Sequence, residues 1–438
     1  MERSTSSALD SVLQRLYRRN LHTIKLGLDV ERALLAELGN PQDAFLSIHV
    51  AGTNGKGSVC AVLASILQSA GFRVGLYTSP HLRRFSERIR VQGEVISDAD
   101  LSAVLDEVEA ATGRIRRGGH RDATFFEFTT AAAFAHFRNS HVHVAVLETG
   151  MGGRLDATNV VTPMVSLITS IGMDHQAFLG NSLTEIAREK AGIIKSGRPV
   201  VIGELPPEAL AVMRETARER GATLVRATEA CTVSRVSQDW QGQRLRIEIE
   251  GVGAGISSCP LLGRHQLENI AVALTGLRFF ARETGLPISD TAVREGLAVV
   301  RWPARAHVVE QDPIVLLDGA HNPEAMGALR RTLKELRTRS PVGLVASFLA
   351  DKDAAACLRV LAPEISRCWV VARGGDRAMT PDALRSAASQ ARLAAECLDL
   401  EHAMAAARAW ARNENGLIVV AGSLYLAGEL LDLLGYPV

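Results

Sequence analysis

At 438 residues, 47% of them hydrophobic and 22% charged, the chain has an ordinary globular composition and exceeds the length at which one core usually keeps growing. A formal net charge of +1 gives no electrostatic reason to expect nucleic acid or an anionic membrane as a partner, and the short basic pairs Arg83-Arg84 and Arg116-Arg117 read as solvated surface. The six cysteines form no CxxC pair, residues 1–10 lack the apolar core of a signal peptide, and no apolar run reaches membrane-spanning length. Structural zinc and a disulfide framework are therefore not signalled, and a cytoplasmic protein is expected.

Residues 9–38 carry helical spacing, which Gly39-Asn40-Pro41 stops. The apolar run 45–50 predicts a buried strand, 52–57 a glycine-rich turn, and 58–70 a helix with Val59, Val62, Leu63, Ile66 and Leu67 on its apolar side. A strand at 74–77, a helix at 99–111, a polar Gly/Arg-rich stretch at 113–121, a helix at 126–137 and strands at 142–147 and 165–168 follow. Such alternation builds a mostly parallel sheet covered by helices. Residues 231–249 alternate with a period of two, which predicts a hairpin on the edge of the first domain, before helices at 266–280 and 290–299. Arg301-Trp302-Pro303 breaks the pattern. A second, smaller α/β series then places strands at 314–317, 342–347, 368–371 and 417–420. The predicted fold is α/β: a mostly parallel-sheet P-loop domain over 1–299 and a Rossmann-like domain over 300–438, without internal repeats.

The turn reads Gly52-Thr53-Asn54-Gly55-Lys56-Gly57-Ser58. A strand, a glycine-rich turn and a helix are the context of a phosphate loop: backbone N–H groups point at phosphate oxygens and the helix adds its positive end. Lys56 can reach the terminal phosphates and the Ser58 hydroxyl can ligate Mg²⁺. Such a metal needs further oxygen ligands nearby. Glu148 lies just past one strand and Asp174-His175 past another, at carboxyl ends where open α/β sheets bind ligands. Alone, each could be no more than a cap. Residues 150–159, Gly-Met-Gly-Gly-Arg-Leu-Asp-Ala-Thr-Asn, form either a loop whose backbone approaches a ligand or a structural bend.

Together and in order, the phosphate loop, the 148–159 segment, Asp174-His175, Ile186-Ala187-Arg188-Glu189-Lys190-Ala191-Gly192 and Asp318-Gly319-Ala320-His321-Asn322-Pro323 resemble folylpolyglutamate synthase and its bifunctional bacterial form with dihydrofolate synthase activity. That family is a branch of the Mur ligase superfamily, and the resemblance spans residues 21–430. It implies an ATP-dependent amide ligase in which a carboxylate of dihydropteroate or of a reduced folate becomes an acyl phosphate that L-glutamate then attacks. Domain closure would bring acceptor and amine together. The small-molecule partners expected are dihydropteroate, reduced folates and L-glutamate, with no nucleic acid or membrane, and a monomer is expected.

Carried over residue by residue, the resemblance implies that Ser58 and Glu148 hold a magnesium on ATP, and that His175 ligates a second magnesium. Lys190 resembles the lysine that the family carbamylates; by its chemistry alone an Arg-Glu-Lys run is a solvated face. Asn269, Arg305 and Asp318 resemble nucleotide-binding residues, and His321 lies in the glutamate-facing loop. The 78–82 segment Thr-Ser-Pro-His-Leu, followed by Phe85, Glu87 and Arg88, resembles the family's substrate-cleft signature, with Ser79, His81 and Arg84 as its substrate-facing members. Thr124, Phe126 and Asp156 resemble residues around the pterin, although Phe125 and Phe126 could equally be core residues opening a helix. Met151 stands where the family often has leucine, and the 113–121 stretch would alter an adjacent loop. The competing readings are an enzyme with one of the two activities, a superfamily ligase acting on a UDP-sugar peptide, and an ATP-binding protein without chemistry.

Overall fold

The structure, a computed structural model, describes residues 16–17, 27–249, 252–336, 340–373 and 375–436. Of the helix predicted at 9–38, residues 9–15 and 18–26 lie outside this set, as do residues 1–8 and the two C-terminal residues; the remainder contains α1 (Asp29–Glu37). Asn40, at φ 52°, turns the chain after it.

The first sheet contains β1 (Leu46–Ala51), β2 (Val74–Tyr77), β3 (Ile89–Val91), β4 (Glu94–Val95), β5 (Val144–Glu148), β6 (Val165–Ile168), β7 (Val200–Ile202) and β8 (Leu224–Arg226). Its order is β4-β3-β2-β5-β1-β6-β7-β8, parallel from β2 to β8, with β3 and β4 antiparallel at one edge. Strands β2, β5, β6 and β7 are buried at every residue because helices cover both faces, so their sequences read as continuous apolar runs. The helices between them are α2 (Lys56–Ser69), α3 (Asp98–Arg117), α4 (Phe125–Asn139), α5 (Gln176–Leu179), α6 (Leu183–Ala191) and α7 (Pro207–Glu219).

Helix α3 absorbs much of the stretch expected to be a polar loop. Ser97 caps it by accepting the Asp100 N–H, Asp98 and Asp100 sit at its positive end, and Arg114, Arg116 and Arg117 sit at its negative end. Its inner face, Val104, Leu105 and Val108, shares a core with Phe128, Phe134 and Phe137 of α4.

After α8 (Ala227–Ala230), three strands, β9 (Cys231–Asp239), β10 (Gly242–Ile249) and β11 (Val252–Cys259), form a sheet of their own in the order β11-β10-β9. The predicted hairpin is therefore not an edge of the first sheet. Helices α9 (Arg264–Thr284) and α10 (Asp290–Val299) follow. The packing gives two units: Met1–Val233 with Ile247–Gly255 and Glu268–Leu297, and Ser234–Arg246 with Ile256–Leu267 and Ala298–Val438. Unlike a single cut at 299/300, this assigns parts of the three-stranded region to the second unit.

The second unit's main sheet contains β12 (His307–Gln311), β13 (Ile314–Leu317), β14 (Val342–Ala346), β15 (Arg367–Val370), β16 (Ala395–Cys397) and β17 (Leu417–Ala421). Its order is β12-β13-β17-β14-β15-β16, with only β12 antiparallel to its neighbour. The helices among and after these strands are α11 (Pro323–Leu336), α12 (Ala354–Leu361), α13 (Pro381–Gln390), α14 (Leu400–Glu414) and α15 (Leu424–Leu433). Among the described residues, no helix is long and apolar enough to cross a membrane.

Candidate functional site

The phosphate loop joins β1 to α2 at the carboxyl edge of the central strand. Gly55, at φ 86°, is the N-cap residue of α2, and no side chain caps that helix. Its N-terminal N–H groups are thereby presented to an anion. A side chain at Gly55 would run into Asn269 of α9, and one at Gly52 into Thr169. The loop is also stapled to the segment after β6. Thr53 donates its N–H to the Ser170 carbonyl at 2.8 Å, the Asn54 N–H donates to Ser170 Oγ at 3.0 Å, and Thr169 Oγ1 donates to the Asn54 carbonyl at 2.6 Å. The Gly172 N–H donates to Thr53 Oγ1 at 3.0 Å. Thr169 and Ser170 were not singled out in the sequence, although they follow a strand end where ligand-site residues concentrate.

Lys56 Nζ turns back to the Thr53 carbonyl at 3.4 Å. Lys190, buried on α6, donates Nζ to the Gly52 carbonyl at 2.8 Å. Burial, and then the Lys56 charge, lower its pKa to about 7, while Asp174 and Asp156 oppose the shift. The lysine that reads as solvated surface in the sequence is thus an interior group touching the phosphate loop.

Glu148 and Ser58 are both buried, and Glu148 Oε2 accepts the Ser79 N–H at 3.1 Å. A serine hydroxyl and an oriented carboxylate are hard oxygen donors that suit Mg²⁺, whose remaining positions are commonly taken by phosphate and water. Among the described residues, no group of three or more His, Cys, Asp or Glu side chains forms a complete metal cage, and an ion shared with a nucleotide needs none. His175, in left-handed backbone at φ 50°, starts α5 and leaves much of its ring exposed; its Nε2 is 3.9 Å from Asp174 Oδ2.

On the other side of Glu148, Glu87 accepts the N–H groups of Leu82, Arg83 and Arg84 at 2.7–2.9 Å and fixes the loop after β2. Arg88 Nε donates to His81 Nδ1 at 2.8 Å, and burial with the Arg88 charge lowers the His81 pKa to about 3. That ring is neutral and keeps its proton on Nε2. The Arg84 side chain is exposed. Thr124 caps α4, with its Oγ1 accepting the Glu127 N–H and its own N–H donating to Glu127.

The two adjacent phenylalanines separate clearly. Phe125 is core, stacked on Tyr17 at 5.9 Å, whereas Phe126 is half-buried and its ring lies where a side chain on Gly150 would have to go. Asp156 is buried and serves its own loop: Oδ1 accepts from Thr158 N at 3.0 Å and Thr158 Oγ1 at 2.5 Å, and Oδ2 from Met151 N at 3.0 Å. Burial raises its pKa, opposed by these hydrogen bonds.

In the second unit, Asp318 follows β13 and accepts the N–H groups of Ala306 and Ala320, each at 2.7 Å. Burial raises its pKa and Arg305 opposes the shift. Arg305 stands between Ala304 and Ala306, both in left-handed backbone at φ 57° and 46°. Two such non-glycine residues are strained, and strain of this kind gathers where a side chain must be aimed. His321 Nδ1 is 2.8 Å from the Gly319 carbonyl.

The Mur ligase middle domain family matches residues 50–276, and the Mur ligase glutamate ligase domain matches residues 304–424. The chain is 39% identical to folylpolyglutamate synthase of Lacticaseibacillus casei over 92% of each chain. The chain belongs to the folylpolyglutamate/dihydrofolate synthase family. It is also 35% identical to the dihydrofolate synthase/folylpolyglutamate synthase of Escherichia coli, over 95% of this chain and 94% of that one. Mycobacterium tuberculosis folylpolyglutamate synthase, solved with ADP, superposes with a TM-score of 0.91 at 33% identity, covering 99% of both chains. Membership in this family makes the chain an ATP-dependent ligase of folate metabolism with the Mur ligase architecture.

Proposed function

We propose that the chain joins L-glutamate to dihydropteroate, giving dihydrofolate, and to tetrahydrofolate or its polyglutamates, through an acyl phosphate made from ATP. The observation that carries this reading is the buried Lys190 on the Gly52 carbonyl of the phosphate loop, in a chain that matches a two-activity relative along nearly its whole length. The ATP-binding work is assigned to residues 1–299 and the glutamate-ligating work to residues 300–438.

The loop N–H groups and Lys56 bind and orient the terminal phosphate, and Lys56 offsets the charge that builds on it during transfer. Asn269, Arg305 and Asp318 are assigned to the nucleotide, and His321 to the glutamate side. Ser79, His81, Arg84, Thr124, Phe126 and Asp156 are assigned to the acceptor; Phe126 offers a ring face and the 150–153 backbone a floor with little side-chain bulk. Ser58 and Glu148 would hold one magnesium, and His175 with Lys190 a second. These ions would supply positive charge against the phosphate oxygens and the acceptor carboxylate. A lysine with a pKa near 7 has a substantial neutral fraction, whose nitrogen attacks CO₂ and loses a proton to give an anionic carbamate. That anion suits a metal-facing role better than a second ammonium beside Lys56. The six free cysteines fit a reducing, cytoplasmic setting.

The test is a two-acceptor assay with ATP, Mg²⁺ and L-glutamate, resolving amide products by mass. Product from both dihydropteroate and tetrahydrofolate supports the reading. Extension of tetrahydrofolate alone overturns it in favour of a monofunctional enzyme, the activity named for the 39% identical relative.

A further inference from the structure

Helix α1 carries a buried acid that the phosphate chemistry does not use. Glu31 is 0% exposed, and among the described residues it is the one carboxyl group whose two oxygens are both buried without a hydrogen-bond partner. Every other buried carboxyl among the described residues accepts at least one hydrogen bond. An orphaned buried acid costs stability, because it gives up water and gains nothing in exchange, and folded proteins keep few such groups.

Its position is fixed from three directions. Helix α1 packs on α4 and on the single turn Ala157–Val160, which Asp156 caps. Leu34 and Leu35, which share the face of α1 that carries Glu31, belong to one core with Phe125 and Phe128, and Phe126 packs against that core. The charges of Glu127 and Asp156 both act on Glu31, while Asp29, at the start of α1, acts on Arg121, the partner of Glu127. The first turn of α1 thus lies against the start of α4 and the Asp156 turn. Those elements carry Thr124, Phe126 and Asp156 of the acceptor assignment.

Phe126 offers a ring face to a flat heterocycle, but a face does not read the hydrogen-bonding groups on the heterocycle's edge. Asp156 spends its oxygens on Thr158 and Met151, and Glu127 spends its own on Arg121 and Thr124. We infer that the Glu31 carboxyl group reads the edge of the acceptor's heterocycle, accepting hydrogen bonds from a ring amide N–H and the amino group beside it. The inference rests on the acceptor assignment proposed above, since a pterin carries those two parallel donors on one edge of a flat ring. They suit two carboxylate oxygens in the same fork that Arg121 makes with Glu127, at 2.8 and 2.7 Å. The ring's donors satisfy a group that the fold leaves unsatisfied. An acceptor without the amino group leaves one oxygen bare and binds more weakly.

The experiment measures kcat/KM for dihydropteroate and for its analogue with methyl in place of the amino group, using the full chain in wild type, Glu31→Met and Glu31→Gln. Dihydropteroate has no glutamyl chain, so the heterocycle carries a larger share of its recognition. Wild type should prefer the amino compound. Glu31→Met, which keeps the length and removes both oxygens, should cut that preference by about tenfold or more, mostly through KM. Glu31→Gln, which keeps one acceptor, should retain part of it, and KM for ATP and L-glutamate should stay within about twofold of wild type. A merely structural role would move the melting midpoint and leave the preference intact. An unchanged preference in Glu31→Met, or in Glu31→Gln if the methionine variant does not fold, overturns this inference alone. If wild type extends tetrahydrofolate but not dihydropteroate, the two-activity reading falls by itself, and the same comparison with tetrahydrofolate and its methyl analogue decides the inference. If wild type ligates neither, the proposed function falls first and the inference falls with it.

Discussion

Lys190 Nζ donates to the carbonyl of Gly52 at 2.8 Å, joining helix α6 to the first residue of the phosphate loop across 138 positions of sequence. The contact satisfies a buried amine and sets it beside Lys56, whose charge discourages a second ammonium. Replacing Lys190 by alanine should lower turnover by about a hundredfold or more, the scale of losing one group that stabilises developing charge. If the group acts as an anion, a short carboxylate added to the assay should restore part of the rate. Steady-state turnover with and without formate is the measurement, and undiminished turnover in Lys190→Ala would sink the assignment.

Gly55 needs both its left-handed backbone and its missing side chain. In Gly55→Ala the methyl group meets Asn269 and the φ of 86° becomes strained, costing on the order of 1–2 kcal/mol at the loop. Nucleotide affinity should fall about tenfold with the overall fold retained. Because Asn269 is itself assigned to the nucleotide, calorimetric titration with ADP compares wild type, Gly55→Ala, Asn269→Ala and the double variant. A smaller loss from Gly55→Ala in the Asn269→Ala background than in wild type assigns the difference to the contact, and an equal loss assigns all of it to the backbone.

Glu31 on α1 is fully buried, and among the described residues neither of its carboxylate oxygens has a hydrogen-bond partner. Burial first, and then Glu127 and Asp156, raise its pKa well above 4.5. Above that value the unfolded chain releases a proton that the folded chain retains, so stability falls as pH rises toward the folded-state pKa. Glu31→Gln removes the titration at nearly constant volume. Its thermal midpoint should match wild type near pH 4 and exceed it near pH 8, a difference that melting curves at the two pH values measure directly. Equal midpoints near pH 8 would show that the ionisation carries no penalty.

Ala304 and Ala306 bracket Arg305 with positive φ angles, and both are buried. Ala306→Val adds bulk and β-branching where neither is tolerated, and should destabilise by about 2 kcal/mol or more. Ala306→Gly should be much milder, because glycine adopts the same φ without strain. Denaturant midpoints compare the two. A valine variant as stable as the glycine variant would mean that the backbone there is not constrained.

Much of the fold was legible because buried parallel strands write themselves as apolar runs: β2, β6 and β13 lie where the sequence placed them. The three-residue strand β7 and the edge strands β3 and β12 are too short or too polar to announce themselves. Helix α3 overran its prediction because Ile115 carries its buried face one turn further and Arg114, Arg116 and Arg117 complement its negative end. The phosphate loop was readable from spacing alone. The position of Lys190 was not, since its burial is set by neighbours remote in sequence. Phe125 and Phe126 make the same point: adjacent and identical, they differ only in which face of α4 each occupies.

The Asn269 side chain against Gly55 has a consequence for biogenesis. The nucleotide loop lies near the start of the chain, yet part of its wall comes from α9, and Ser65 of α2 donates its hydroxyl to the Gly296 carbonyl at 2.7 Å. On a ribosome, the loop would emerge long before either contact could form. Nascent chains ending before residue 269 would carry every residue of the Gly52–Ser58 motif and still lack the Asn269 wall. ATP could therefore assist the maturation of this unit only near the end of its synthesis.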